Sequence, residues 1–326
     1  MKKLFISMLA VAAMVSCSKE QTVSFDKGEE IGFSTFVENS TRAAADPSYS
    51  AKDIESFKVW GTVNDVLIYD GDKVSRPSTV AGQGYGSVWA MEDGTQQYWI
   101  ADANYKFVGI VDGDKDGVTK TNLVDNMPST IDYTADGKTD LLCQTITRKN
   151  DTSIVAFNFT HLLSKVNFTV ENGSTGATGY SFVVKNITFS GATKATYDVV
   201  NEEWGTTATG NTVLGNERTV TIDSVDTTVK DIVVASGATS TELGTEVLFI
   251  PGEYSISFTV DILYNGERVT TTNYPIAPAT YTYTLAAANA YNFKVNVAVG
   301  QSIQFTVTQK PTWTDGDGAG DTTLTL

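Results

Sequence analysis

The sequence predicts an all-β protein made of two antiparallel β-sandwich domains. Strand-forming residues are abundant, with 15 Phe and 14 Tyr beside many Val and Thr, and 27 Gly supply turns. Short apolar runs recur at a spacing of about 8–12 residues, without long helical segments between them. A length of 326 residues corresponds to two domains of ordinary size.

The clearest single strand lies near the end of the chain, at residues 291–297. Its sequence, Tyr-Asn-Phe-Lys-Val-Asn-Val, places apolar residues at every second position. This alternation predicts one buried and one solvated face, as in an antiparallel sandwich. Residues 172–179 are small and show no periodicity, so we place the domain boundary there. The expected domains are residues 31–172 and 173–326.

The N-terminus has the layout of a bacterial signal peptide at residues 1–16. Two lysines precede an apolar run that is shorter than the roughly 20 residues needed to span a bilayer. The stretch Met-Val-Ser-Cys at residues 14–17 has the form of a lipoprotein processing site. We therefore expect acylation of Cys17, with residues 17–30 as a polar tether between the lipid and the fold.

Charge and cysteine content limit the partners of the chain. The formal net charge is −15, and loss of the signal peptide would leave 21 basic residues against 38 acidic ones. So acidic a surface disfavours nucleic acid as a partner. Once Cys17 is lipidated, Cys143 is the one remaining cysteine and no intramolecular disulfide can form. Cys143 follows two leucines and is expected to pack as a small hydrophobic residue.

The first predicted strand spans residues 31–38 and places Ile31, Phe33, Thr35 and Val37 on one face. After it comes a small and polar stretch that is typical of an exposed loop. The sequence therefore predicts that the fold begins with a half-buried strand.

The inventory of catalytic and metal-binding residues is thin, and we expect no enzyme, cofactor or metal site. His161 is the only histidine, and it continues the apolar face of a strand, which indicates a packed structural residue. Asp112, Asp114 and Asp116 match the first half of a calcium loop. Leu123 stands where the bidentate glutamate belongs, so an acidic hairpin turn is the simpler interpretation.

Several short segments occur in an order and spacing that resemble one family. They are the lipoprotein start at Cys17, Ile31-Gly32-Phe33, Thr41-Arg42-Ala43, Gln97-Tyr98-Trp99, residues 159–168, and Phe305-Thr306-Val307-Thr308 followed by Trp313-Thr314-Asp315-Gly316. Together they resemble the fimbrillin-like (Mfa-type, type V pilus) pilin family over most of the chain. The resemblance implies two transthyretin-like β-sandwich domains in tandem and a structural subunit of a surface fimbria that serves cell adhesion.

The resemblance also implies a route of maturation. Such pilins reach the outer membrane as lipoproteins, and a trypsin-like, arginine-specific protease then cuts the loop after the first strand, here between Arg42 and Ala43. The cut removes the lipid and the apolar residues of the first strand, Ile31, Phe33 and Val37. The edge left behind accepts a strand from the next subunit. Because this head-to-tail contact does not close on itself, the product is a fibre.

The C-terminal stretch is a candidate for the donated strand. Ile303, Phe305 and Val307 alternate with polar residues, and Leu324 and Leu326 lie at the very end. The same residues could equally form the last strand of their own domain.

An alternative function is a monomeric surface lipoprotein that binds glycan or another ligand. It would use the acidic turn at residues 112–116, would leave Arg42 uncut, and would expose some of the five tryptophans, Trp60, Trp89, Trp99, Trp204 and Trp313. A purified protein that is clipped at one site and then oligomerises would distinguish the pilin from this alternative.

Overall fold

The computed structural model describes residues 29–37, 54–76, 89–149, 154–174, 178–222, 224–274, 281–310 and 322–325. They form 22 strands: β1 Phe33–Val37, β2 Ser56–Val63, β3 Val66–Ser75, β4 Ala90–Met91, β5 Asn104–Val111, β6 Thr119–Val124, β7 Met127–Thr134, β8 Leu142–Lys149, β9 Val155–His161, β10 Ser164–Asn172, β11 Tyr180–Asp198, β12 Glu203–Leu214, β13 Asn216–Ile222, β14 Val225–Val234, β15 Ser240–Glu242, β16 Val247–Phe249, β17 Gly252–Tyr264, β18 Glu267–Tyr274, β19 Thr282–Leu285, β20 Ala290–Val297, β21 Gln304–Lys310 and β22 Thr322–Thr325. Within these ranges there is no helix, and so none that could cross a membrane. The predicted all-β fold class is confirmed.

The strands form three sheets. The first sheet has the order β1-β9-β8-β5-β2-β3-β4. The second sheet has the order β13-β14-β11-β17-β18, with β12 and the β6–β7 hairpin also paired to β11 and with β19 paired to β17. The third sheet has the order β15-β10-β20-β21-β22, with β16 also paired to β10.

The first sheet rolls up around its own core. The ring of Phe33 in β1 lies 6.3 Å from that of Phe157 in the neighbouring strand β9. It also lies 6.2 Å from Phe57 in β2 and 5.5 Å from Tyr69 in β3, strands that are distant from β1 in the sheet order. Only a strongly curved sheet brings its ends together in this way, as the usual twist of strands allows.

Two glycines make room for the rings inside the rolled sheet. A Cβ atom on Gly109 would lie 2.8 Å from the ring of Phe157, and one on Gly61 would lie 2.9 Å from the ring of Phe107. Both distances are shorter than real Cβ contacts, so any larger residue would displace an aromatic ring from a close-packed interior.

The second and third sheets pack face to face as a β-sandwich. Phe168 of β10 lies 5.9 Å from Phe258 of β17, and Phe258 lies 5.7 Å from Phe305 of β21. Phe189 of β11 lies 5.0 Å from Phe293 of β20 in an edge-to-face arrangement. The finer prediction, two transthyretin-like sandwiches in tandem, is consistent with these sheets and stays a prediction.

One hydrophobic core joins the sandwich to the outer face of the first sheet. Trp60, Val108 and Ile110 point outward from the first sheet and pack in the same buried cluster as Ile131 and Tyr133. The latter two residues belong to β7, which pairs with β11 of the second sheet. The β6–β7 hairpin therefore links the two halves of the molecule.

The chain changes from the first sheet to the sandwich at Leu162 and Leu163. After them β10 runs parallel to β20, with Lys165 opposite Ala290 and Asn172 opposite Val297. The boundary predicted between residues 172 and 173 does not coincide with this change of sheet. The domain limits themselves stay a prediction.

A buried carboxylate ties together three strands of the second sheet. Asp261 of β17 accepts hydrogen bonds from Lys185 Nζ at 2.6 Å and from Thr271 Oγ1 at 2.7 Å, and it pairs with Arg268 at 3.3 Å. Burial alone would raise the pKa of Asp261, but Lys185 and Thr271 outweigh burial and hold the pKa below its ordinary value.

The substitution Asp261→Asn is expected to lower the free energy of unfolding at pH 7 by about 1.5–3 kcal/mol, the usual range for hydrogen bonds to a charged group. A carboxyl whose pKa is lowered on folding stabilises the protein above its unfolded pKa, about 3.9, and this contribution is lost as the pH falls toward the folded value. Urea unfolding between pH 7 and pH 3 should therefore show a weaker pH dependence in the variant. Glu253→Gln, on an exposed position of the same strand, should leave the free energy of unfolding at pH 7 and its pH dependence unchanged.

Candidate functional site: the first-strand groove

The first-strand groove, the space in the first sheet that β1 fills, is the candidate functional site. It is lined by β9 on one side, and residues 97–99 pair with residues 29–31 at its entrance, just before β1. Ile31 and Phe33, predicted to lie on the buried face, expose only 4% and 7% of their surface, and Thr35 exposes 5%. The alternation predicted from the sequence therefore matches the burial of residues 31–35, whereas the side chain of Val37 lies outside the described part of the structure.

Among the described residues, the backbone of β1 pairs along its full length with one strand only. It runs parallel to β9, with Phe33 opposite Val155 and Val37 opposite Phe159. On its other side, pairing is limited to the residues just before it: the N–H of Ile31 donates to the oxygen of Gln97 at 2.9 Å, and residues 30 and 98 form an isolated bridge. β1 is thus the end strand of the first sheet, although its side chains fill the centre of a core.

Three polar atoms in this region are buried without a hydrogen-bond partner among the described residues. They are Thr35 Oγ1, the hydroxyl of Tyr69 and Nε1 of Trp99. Burial raises the pKa of Tyr69, with smaller contributions from nearby carboxylates such as Glu30. The phenol therefore stays neutral and a potential donor.

This geometry can bind a β-strand. If β1 left, the edge of β9 would present unpaired backbone groups from Val155 to Phe159, beside a cleft of aromatic rings. Both are unfavourable in water and are satisfied by another extended segment. The groove thus combines backbone pairing with apolar pockets for alternate side chains.

Several residues assigned from the sequence lie outside the described part of the chain. These are the lipidation site Cys17, the processing site Arg42 and Ala43, and the terminal Leu326. Their assignments stay predictions.

The candidate donor residues fall on two different strands. Phe305 and Val307 of β21 are fully buried in the sandwich core, and Ile303 packs partly against it. β21 pairs with β20 on one side and with β22 on the other. Leu324 belongs to β22, opposite Val307, and β22 is the end strand of the third sheet.

The acidic turn at residues 112–116 forms ion pairs rather than a cluster around a cation. Asp112 accepts from Lys58 Nζ at 3.1 Å and from Thr119 Oγ1 at 2.9 Å, and Asp114 pairs with Lys73 at 2.9 Å. Burial alone would raise the pKa of Asp114, but Lys73 and Lys58 hold it below its ordinary value. In the described residues, no group of three His, Cys, Asp or Glu side chains is placed to hold a metal ion.

His161 and Cys143 are both packed into the interior. His161 is 4% exposed, and its Nδ1 lies 2.7 Å from Oδ2 of Asp140. Cys143 is buried, and this burial raises the pKa of its thiol to about 12. Both placements agree with structural roles.

The tryptophans with described positions pack against the protein. Trp60 and Trp99 are buried in the two cores. Trp204 donates its indole N–H to a backbone oxygen of the β9–β10 connection at 2.9 Å, and Trp89 packs against a phenylalanine ring of β2 at 5.2 Å. Trp313 lies outside the described residues. The four described rings therefore do not form the exposed aromatic face that the glycan-binding alternative needs.

Two features of the groove were not read from the sequence. The parallel β1–β9 pairing joins segments more than a hundred residues apart, and periodicity carries no information about partners. The pairing of Gln97, Tyr98 and Trp99 with residues 29–31 was also missed, although this tripeptide was singled out as a motif.

Comparison with known proteins places this strand-filled, all-β architecture in a family. The profile of fimbrillin-like proteins matches residues 21–313, so the chain belongs to the fimbrillin-like family. No curated protein matches the chain.

Solved structures similar to this chain include two proteins from Bacteroides species. A fimbrial protein from Bacteroides vulgatus shares 14% sequence identity at a TM-score of 0.57, over 87% of this chain and 99% of the other. At this identity the likeness shows the fold. A candidate cell adhesion protein from Bacteroides uniformis reaches a TM-score of 0.49 at 16% identity, over 87% of this chain and 98% of the other.

Proposed function

We propose that the chain is a structural subunit of a cell-surface fimbria that polymerises by β-strand donation. Membership of the fimbrillin-like family supports a fimbrial role. The observation that carries the proposal is β1, the end strand of the first sheet among the described residues, whose Phe33, together with Ile31 just before the strand, fills an aromatic core. Such a strand can be replaced by an extended, apolar strand of a second copy. The proposed function involves no catalytic step.

Maturation would follow the order of the sequence. Acyl chains on Cys17 would hold the subunit at the outer membrane, and a trypsin-like, arginine-specific protease would cut between Arg42 and Ala43. The cut would sever the covalent link between β1 and the fold and leave the groove open to exchange.

We assign the donated strand to β22 rather than to β21. Phe305 and Val307 of β21 are buried in their own core between two neighbouring strands, so their departure would leave a large cavity. Among the described residues β22 has one neighbouring strand; it carries Leu324, and Leu326 follows two positions later in the sequence. Head-to-tail donation of this strand would give an open fibre.

Limited trypsin digestion of the non-lipidated chain tests the proposal. We expect one dominant cut, with Ala43 as the new N-terminus, followed by a ladder of oligomers in sizing chromatography. Arg42→Ala should remain uncut and monomeric, whereas Arg42→Lys, which trypsin still recognises, should behave as the wild type. A wild-type chain that is cut at this site and stays a stable monomer would contradict strand exchange.

A further inference from the structure

Thr35 is a polar residue at a core position of β1. It lies on the same face as Phe33, two residues away, and opposite Phe157 of β9. Its side chain is 95% buried, and its hydroxyl has no hydrogen-bond partner in the described part of the chain. Phe33 and Phe157, its neighbours along the face and across the pair, both belong to the buried apolar cluster of the first sheet.

A buried hydroxyl without a partner weakens the fit of a strand. The group loses its hydrogen bonds to water and gains none in exchange. Valine has nearly the same shape without this loss, so an aliphatic side chain fits the site better than threonine does. The unpartnered hydroxyl of Tyr69, in the same core, is a second sign that β1 leaves the groove imperfectly satisfied.

We propose that the site of Thr35 makes β1 a replaceable occupant and selects an incoming strand that carries an aliphatic side chain at this position. The occupant is β22 of a second copy together with the residue that follows it, a sequence that offers Leu324 and Leu326 at alternate positions. This inference rests on the proposed strand donation, because it names the partner chemistry of the same groove.

The covalent link explains why β1 occupies the groove before processing. While the chain is intact, β1 is held near its site at a high effective concentration, which outweighs a poor fit at one residue. After a cut at Arg42 this advantage disappears, and the fit of the side chains decides which strand stays. The mismatch at Thr35 then favours exchange.

The substitution Thr35→Val in the full chain tests the mismatch without any polymerisation. We expect the equilibrium constant for unfolding, measured in urea, to fall about tenfold, because the unpaired hydroxyl is removed at constant shape. Thr147→Val, on an exposed position of β8 in the same sheet, controls for the general effect of valine in a strand. An unchanged or increased unfolding constant in Thr35→Val would overturn the inference.

The exchange step is tested on the same proteins after trypsin cleavage. A labelled peptide with the sequence of residues 320–326 should enter the Thr35→Val groove about tenfold more slowly than the wild-type groove, since β1 now holds on more tightly. A peptide with Leu324→Thr and Leu326→Thr should bind neither protein at the same concentration. Equal uptake of both peptides would contradict the proposed selectivity.

The two proposals fail in different ways. If the cut wild-type protein neither takes up peptide nor forms oligomers, strand donation is wrong, and the urea measurement still decides whether Thr35 is a mismatch. If oligomers form at the same rate in both proteins, the inference about Thr35 alone is wrong.

Discussion

A disulfide across the β1–β9 pair is expected to abolish polymerisation of the cut protein until a reductant is added. Ser34 and Ala156 lie directly opposite each other in the parallel register, on the outer side of the first sheet. Neighbouring strands are about 4.8 Å apart, within the range that disulfides bridge. The double variant Ser34→Cys/Ala156→Cys would therefore keep β1 in its groove after cleavage at Arg42. Sizing chromatography with and without dithiothreitol measures the effect.

A second pair of substitutions serves as a control, because it introduces a disulfide elsewhere in the same sheet. Lys106→Cys/Thr147→Cys joins β5 to β8 in the same sheet without touching β1. This control should polymerise after cleavage whether or not it is reduced. Oligomers of the Ser34→Cys/Ala156→Cys variant that form under oxidising conditions would show that β1 does not need to leave.

The substitution Phe33→Ala is expected to lower the free energy of unfolding of the uncut protein by about 3–5 kcal/mol, the usual cost of removing a buried phenylalanine ring. The ring contacts aromatic side chains of four strands, including Tyr69 at 5.5 Å and Phe157 at 6.3 Å. Because typical domains are stable by only about 5–15 kcal/mol, this is a large share of the total. Urea unfolding of the uncut variant and of the uncut wild type measures this loss in the free energy of unfolding.

The same variant makes a second prediction about the fibre. In the proposed maturation, residue 33 leaves with the excised segment, so fibres assembled from Phe33→Ala and from the wild type should have the same chemical composition and the same resistance to urea. Assembly itself should be faster in the variant, since β1 binds less tightly. Ser34→Ala, on the outer face, should change neither stability nor rate. Fibres of different stability would show that β1 is retained.

The buried face of a strand could be predicted from the sequence, because it depends on the alternation of neighbouring residues. Ile31 and Phe33 were assigned to the buried face, and both are buried. The alternation at residues 291–297 predicts β20, in which every second residue is buried. In both cases a period of two, set by the backbone of a strand, is enough to fix the face.

Pairing and strand length depend on distant residues and could not be read in this way. β11 continues beyond the apolar residues around Phe189 to Asp198, through a run of small residues. Gly191 in this run lies beneath the ring of Tyr254, whose hydroxyl is within hydrogen-bond distance of the backbone oxygens of Ala192 and Ile250. The continuation is therefore stabilised by tertiary contacts rather than by local strand propensity.

The β6–β7 hairpin bears on how a fibre would resist being pulled apart. In the proposed polymer, one attachment point is the first-strand groove and the other is β22, so tension must pass from the first sheet to the sandwich. One load path is the covalent connection at Leu162 and Leu163. A second runs through the hairpin, whose residues 130–134 are hydrogen-bonded to β11 and whose apolar side packs on the first sheet. Stretching a subunit would therefore require both the ladder and the core to yield before the chain could extend.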